Sequence, residues 1–454
     1  MIKIKIYLTI CLVIFFVLST FFLLKLDTEQ KTLIKKYIFP YKIIKYQEKK
    51  ISSLNQNMSK NIKDFNTYLF QLELEVKANN SDILTKKSIH KLSNKKILKR
   101  YKLLSGFHAG IHEYFPGSGY IDFLDNNIFI LSSRGVLAYR INIEDDDVTY
   151  SQIKNNIDNF INIKQFNKDK SFSLKDMLIS KDKIFISYTE EIKEDCWNTS
   201  VIFGEVNYKS LRFEKLFSPI KCIHSTKNID KEFEAVQSGG RMVEFDNNHI
   251  LLTIGDYRSR HLAQNNKSIN GKIIKINIDN GNHEIISMGH RNQQGLYFDK
   301  DKKILLETEH GPKGGDEINI IEINKISNSN NILNYGWAIS SAGEHYGGKQ
   351  KSNKNKYEKY PLFKSHSDHG FIEPIKSFVP SIGISEIQKI NKNNYVFSSL
   401  KDKSLYFFEL NDEKKINNLE RIEVFERIRD IGFNQDKLYL FMEDTASIGV
   451  INLK

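Results

Sequence analysis

F-D-K-D-K-K-I-L-L, Phe298 to Leu306, reads as a β-hairpin: an apolar residue, a tight turn of Asp and Lys, then an apolar run of buried-strand character. The pattern recurs as F-L-D-N-N-I-F-I-L from Phe123, I-S-K-D-K-I-F-I-S-Y from Ile179 and F-D-N-N-H-I-L-L-T from Phe245. It returns as I-N-K-N-N-Y-V-F-S from Ile390 and F-N-Q-D-K-L-Y-L-F from Phe433. Each hairpin is followed by another apolar strand: Val136 to Ile141, Val201 to Val206, Lys272 to Ile276, Glu317 to Ile323, Ser404 to Leu410 and Ile448 to Leu453. Six similar units predict radial repetition of four-stranded sheets, an all-β fold in the form of a six-bladed β-propeller. A β-sandwich would leave the repetition unexplained. The longer gap between Phe298 and Ile390 predicts an extended loop on one face.

Outward from that hairpin, polar, Gly-rich and cationic residues crowd both ends of the strand Ile304-Leu305-Leu306. G-H-R-N-Q-Q-G-L (Gly289 to Leu296) precedes it; E-H-G-P-K-G-G-D-E-I-N (Glu309 to Asn319) and N-Y-G-W (Asn334 to Trp337) follow. Each glycine alone is turn punctuation. As a constellation at the ends of a rigid element they predict a site, because binding groups concentrate on loops held by a scaffold. Asp316 and Glu317 resemble an acidic metal site, but they lead straight into the next strand and are expected to be structural.

At 454 residues, with 40% apolar and 27% charged residues, the chain can bury a large core. The net charge of +12 is spread along the chain rather than gathered in an arm, which argues against nucleic acid as a partner. Ile6 to Leu24 carries no charge over 19 residues and has no small-residue cleavage site behind it. This predicts a single-pass membrane anchor over residues 1–26. Lysines flank the span on both sides, so the positive-inside count does not orient it. Residues 27–100 read as a stalk or linker with helical segments, with one strand in the period-2 run Tyr68 to Val76. The propeller is expected over residues 101–454. Outside the anchor, Cys196 and Cys222 are an even pair, open to a disulfide or to two buried thiols.

The motifs above resemble those of the PQQ-dependent soluble sugar dehydrogenases, the glucose/sorbosone dehydrogenase family that includes aldose sugar dehydrogenase-like proteins. S-G-G-R-M (Ser238 to Met242), T-I-G-D (Thr253 to Asp256), G-K-I-I-K-I-N (Gly271 to Asn277), S-L-K (Ser399 to Lys401) and R-I-R-D (Arg427 to Asp430) extend the resemblance. It runs from about residue 105 to the end, leaving out anchor and stalk. It implies a quinoprotein oxidoreductase acting on an aldose sugar or related alcohol, passing electrons to an acceptor, with the propeller on the periplasmic or extracellular side of the cytoplasmic membrane. PQQ carries three carboxylates, which Arg suits by bidentate contact. By resemblance Arg291, Lys401, Arg427 and Arg429 bind it, with Asn292 and Gln294 adding polar contacts. Ca²⁺, a Lewis acid toward the quinone, is implied on the backbone carbonyls of Gly311 and Pro312.

One position departs from the family. The His that serves as general base lies four residues before the Arg of the G-R motif; here that residue is Gln237. A neutral amide has no useful basicity. Asp256, matching the acid that orients the family's His, remains. Catalysis would need a substitute base such as Asp256, His310 or Glu309. The alternative is a non-catalytic propeller that binds a saccharide, the cofactor or a protein partner.

Overall fold

The computed structural model describes residues 41–93, 95–107, 118–141, 149–169, 171–328 and 332–454. The chain divides into two compact units, Met1–Asp64 and Phe65–Lys454. Helix α1 (Tyr41–Asn79) supplies the described residues of the first unit, and its residues from Phe65 onward belong to the second. The expected anchor, Ile6 to Leu24, lies outside the described residues. Among those described, no helix is long and apolar enough to cross a membrane.

The strand expected at Tyr68 to Val76 is helical. Its alternation is short, whereas Asn66, Phe70 and Glu73 recur at helical spacing and are all buried. Phe70 sits edge-on to Phe166 at 6.0 Å, so tertiary packing favours the helix. The end of the expected stalk also contains strands. Ile83–Lys91 pairs with Ile97–Leu103, which in turn pairs with Ser447–Asn452 near the C-terminus.

The second unit is mostly β-sheet, and all six expected hairpins form. Their first strands are β1 (Gly119–Leu124), β2 (Leu174–Ser180), β3 (Gly239–Asp246), β4 (Gln293–Asp299), β5 (Ile384–Lys389) and β6 (Ile428–Asn434). Lys181-Asp182 and Gln435-Asp436 turn their hairpins with consecutive positive φ values. That backbone matches the right-handed twist of the flanking strands. The six first strands neighbour one another in a closed cycle, β1 to β2 and on to β6, which returns to β1. This is a propeller-like arrangement, with apolar clusters between successive sheets.

One side chain ties the whole cycle together. Arg241 on β3 donates from Nη1 to Asp176 Oδ1 on β2 and to Asp430 Oδ1 on β6, both at 2.9 Å. Its Nε lies 3.0 Å from Glu386 Oε2 on β5 and donates to the Gln294 carbonyl on β4 at 2.8 Å. Asp430 Oδ2 accepts from the Ile121 amide on β1 at 2.8 Å. One buried guanidinium thus reaches all six inner strands, directly or through Asp430.

Cys196 and Cys222 form a disulfide, resolving the choice that the spacing left open. It staples the strand Cys196–Glu205 to the short strand Ile223–His224. Closing a 26-residue separation is worth about 3.5 kcal/mol on the chain-entropy account. Reduction is therefore expected to lower the denaturation midpoint accordingly. Equal urea midpoints with and without reductant would contradict this.

Candidate functional site

At one end of the cycle lies a cavity of about 460 Å³, within the range of small-molecule sites. It gathers Gln237, Arg291, Asn292, Gln294, His310, Gly311, Pro312, Lys401, Arg427 and Arg429, every site residue expected from sequence except Asp256 and Glu309. Asp256 lies directly behind Gln237.

Backbone close approaches build this end. Gln237 closes the 3₁₀ turn Ala235–Gln237 just before β3. A Cβ on Gly255 would stand 2.1 Å from the Gln237 carbonyl oxygen, so T-I-G-D can pack there only with glycine. The Tyr257 amide then donates to that carbonyl at 3.0 Å, placing Asp256 beside Gln237. Gly311 meets the same constraint, because a Cβ would stand 2.0 Å from the Gly315 carbonyl oxygen.

Gln237 is 4% exposed. With its amide nitrogen toward Asp256, it donates to Oδ1 at 3.2 Å; its oxygen accepts from Arg291 Nη2 and Arg258 Nε, both at 2.9 Å. Asp256 has no exposed surface and accepts from Trp337 Nε1 at 2.7 Å and from the Arg258 amide at 2.8 Å. Burial raises its carboxyl, an effect that Arg291 and Arg260 oppose. Neither Asp256 nor Glu309 lines the cavity. Glu309 is buried and accepts from the Arg291 amide at 2.6 Å. Of the three substitute bases, only His310 lines it. Burial holds the His310 imidazole below its usual range, with Asp316 opposing, so it is neutral near pH 7. Its Nε2 is buried and has no hydrogen-bond partner among the described residues.

Arg427 and Arg429 alternate along the chain and share one buried carboxylate. Arg427 Nε lies 3.1 Å from Glu443 Oε2 and Arg429 Nη2 lies 3.3 Å from Oε1. Burial would raise the Glu443 carboxyl, but Arg429 and Arg427 hold it below the ordinary range. Arg429 Nη1 also donates to Gln294 Oε1 at 2.9 Å, while its Nε is buried without a partner among the described residues. These arginines face inward, not to bulk water. Sequence reading missed Arg258, Lys313 and Tyr346. Arg258 is turned in by consecutive positive φ values at Tyr257 and Arg258, and its guanidinium lies 5.6 Å from the Tyr346 ring centroid. The available signal was the basic residue two places after Asp256. Among the described residues, six cations line the cavity against one carboxylate, Asp316, which is itself held by the amides of Gly311, Gly383 and Ile384.

The donor chemistry fits a polyanionic planar group: four expected cations from three segments of the chain face one volume, one of them with an N–H orphaned among the described residues. The two carbonyls expected for a hard cation fit less well. Arg291 Nη1 donates to the Gly311 carbonyl at 2.8 Å and to that of His310 at 2.7 Å. A guanidinium thus already engages one expected calcium ligand.

The sequence profile of the Glucose / Sorbosone dehydrogenase family matches residues 173–451. The chain belongs to this family. A protein of Synechocystis sp. is 28% identical over 223 residues, 42% of this chain and 50% of that protein. The Aldose sugar dehydrogenase of Escherichia coli is 26% identical over 290 residues, 58% of this chain and 71% of the relative. The chain therefore spans half the length of the first relative and more of the second. Among solved structures, the PQQ-bound Aldose Sugar Dehydrogenase of Streptomyces coelicolor superposes with a TM-score of 0.53 at 16% identity, covering 74% of this chain and 98% of that one. At that identity the likeness shows a shared fold. The family match begins before β2 and takes in every expected site residue.

Proposed function

We propose that this glucose/sorbosone dehydrogenase family member is a PQQ-dependent oxidoreductase of an aldose sugar or related alcohol, built as six blades. In this reading the nine-stranded sheet is two four-stranded blades, led by β1 and β6, joined by Ile83–Lys91. The observation that carries the reading is the convergence of Arg291, Lys401, Arg427 and Arg429, with Asn292 and Gln294, on one cavity. Those residues would hold the three carboxylates of PQQ. When bound, PQQ supplies a two-electron, hydride-accepting quinone. The chain's own residues then have two tasks. Arg427 and Arg429, braced by Glu443, fix the anionic edge, and a base must take the hydroxyl proton as the carbon loses hydride. Gln237 cannot take it and Asp256 is sealed behind it, so His310 is the proton acceptor in this reading.

Calcium would sit on the Gly311 and Pro312 carbonyls, but Arg291 contests Gly311, so no step is drawn through it. The membrane anchor and an extracytoplasmic propeller complete the proposal, and the Cys196–Cys222 disulfide supports an oxidising compartment. The competing reading, a propeller that binds without turning over, is favoured by one observation: where the family has its base, the Gln237 amide is tied to Asp256, Arg291 and Arg258.

The test is thermal melting of the full chain with PQQ alone and with PQQ plus Ca²⁺, followed by dye bleaching on a sugar panel. A ligand at a hundredfold excess over Kd stabilises by about 2.7 kcal/mol. Joint replacement of Arg427 and Arg429 by Ala is expected to abolish that gain. A melting curve indifferent to saturating PQQ, with and without Ca²⁺, overturns the cofactor assignment. Binding without bleaching leaves the non-catalytic reading standing.

A further inference from the structure

A second polar cluster lies behind the Arg291 segment, in the interior. Glu307 and Glu309 are two apart on the strand Ile304–Glu309 and so share a face. Across the ladder from them stand Asn319 and Glu317, in the register Glu307↔Asn319 and Glu309↔Glu317. His290, which has no exposed surface, completes the group from the loop before β4. The ligand atoms of His290, Glu307 and Glu309 all lie within 4.8 Å of one another. Carboxylates directly opposed across a ladder repel, and buried charge is stable only when paired.

The hydrogen bonds leave a gap at the centre of the cluster. His290 Nε2 lies 2.8 Å from Ser287 Oγ. With Nε2 donating to that hydroxyl, Nδ1 presents a lone pair toward Glu309 Oε1 at 3.7 Å and Glu307 Oε2 at 3.9 Å. Those separations are too long for a hydrogen bond in either tautomer. They exceed by a few tenths of an ångström the edge, about 3.3–3.6 Å, of a coordination tetrahedron with bonds of about 2.0–2.2 Å, so a small contraction would close them on an ion. His290 Nδ1, Glu307 Oε1 and Asn319 Oδ1 are buried without partners among the described residues. The Asn319 amide nitrogen contacts Glu307 Oε2 at 3.0 Å and Glu309 Oε1 at 3.3 Å. Rotating that amide by half a turn would offer Oδ1 to the same point. Glu309 is already aimed, because the Arg291 amide holds its other oxygen. Farther out, His366 Nε2 lies 3.6 Å from Glu317 Oε1.

We propose that His290, Glu307 and Glu309, with Asn319 Oδ1 as a fourth donor, form a buried site for a divalent first-row transition cation, Zn²⁺ or Mn²⁺. An imidazole nitrogen among oxygen donors selects this class over Ca²⁺, which takes oxygen ligands throughout. The ion neutralises Glu307 and Glu309, relieving the repulsion between Glu309 and the opposed Glu317, and stiffens the strand that leads into His310, Gly311 and Pro312. Ser287 is a positioning residue, because its hydroxyl holds His290 Nε2 and so orients Nδ1 toward the two carboxylates. Partners of this kind contribute about 10–100-fold to metal affinity. The site is independent of the cofactor reading and is tested with no PQQ present.

The experiment is elemental analysis of the full chain, then melting after chelation and after adding back Zn²⁺, Mn²⁺ or Ca²⁺ singly. The expected result is one equivalent of Zn or Mn per chain. Chelation should lower the melting temperature, and Zn²⁺ or Mn²⁺, but not Ca²⁺, should restore it. Glu307→Gln should abolish the equivalent, and Ser287→Ala should weaken binding about 10–100-fold. If protons alone neutralise the cluster, Glu307→Gln mimics the neutral acid: wild type then carries no transition metal, the variant melts as wild type does, and the proposal falls. Restoration by Ca²⁺ alone overturns the metal class. Should the variant fail to fold, the metal count and add-back on wild type decide by themselves.

Discussion

Arg241→Met is expected to destabilise the second unit by about 3–5 kcal/mol, the cost of removing one partner from a buried ion-pair network. The side chain is 4% exposed, and the three carboxylates it serves, on Asp176, Glu386 and Asp430, are buried as well. Met preserves much of the volume, so the loss reports charge and hydrogen bonding rather than a cavity. The network is under strain even when intact. Burial pushes the Asp176 carboxyl up to about 7 and that of Glu386 up to about 8, with Arg241 opposing in both cases. A carboxyl raised in the folded state costs stability as pH climbs from its unfolded pKa to its folded one. The wild-type penalty therefore grows from about pH 4 to pH 8. Without the guanidinium these carboxyls rise further, so Arg241→Met should lose more stability at pH 8 than at pH 5. Denaturant unfolding at the two pH values is the measurement. A loss under 1 kcal/mol at both would show that the cycle of inner strands does not depend on this hub.

The hub also shows where sequence reading stops. The hairpins were legible because their signal is local: Asp, Asn and Lys in tight turns between β-rich runs, with chemistry that demands positive φ at Lys181, Asp182, Gln435 and Asp436. The cavity residues were legible because short motifs carried them, and those motifs converge when the strands close into a cycle. Arg241 was visible only as a letter in S-G-G-R-M. Its partners are 65, 145 and 189 residues away along the chain, at Asp176, Glu386 and Asp430, and no local pattern links them. Arg258 escaped for a similar reason, since its entry into the cavity depends on a left-handed turn. The run Tyr68 to Val76 was misread because a short alternation competed with a helical period that only packing against Phe166 reveals. That Arg291 engages the Gly311 carbonyl was likewise beyond sequence, because a backbone oxygen leaves no letter.

Gln237→His is expected to raise sugar oxidation by up to about 10²–10⁴-fold, the usual worth of a positioned general base. The side chains are similar in size, and the new imidazole finds a carboxylate in place. Asp256 Oδ1 now accepts from the Gln237 amide and would accept from a ring N–H, leaving the other nitrogen toward the cavity. Asp256 itself is anchored by Trp337 Nε1 and the Arg258 amide, so the orienting group should not move. The cost falls on the two guanidiniums. Arg291 Nη2 and Arg258 Nε both donate to the Gln237 oxygen, and a single ring nitrogen cannot accept both and also take a substrate proton. Nearby positive charge also lowers an imidazole's basicity. The gain should therefore fall short of the full range, and adding Arg258→Gln to Gln237→His should raise it further. Arg291 should stay, because it also braces His310 and Gly311. The measurement is kcat/KM for wild type, Gln237→His, and the double variant, with PQQ and Ca²⁺ saturating. The reading of His310 as wild-type base is checked in the same series: His310→Asn should remove residual wild-type turnover yet leave most of the activity of the Gln237→His protein. Robust wild-type turnover that Gln237→His lowers would show that Gln237 does not occupy the position of the base.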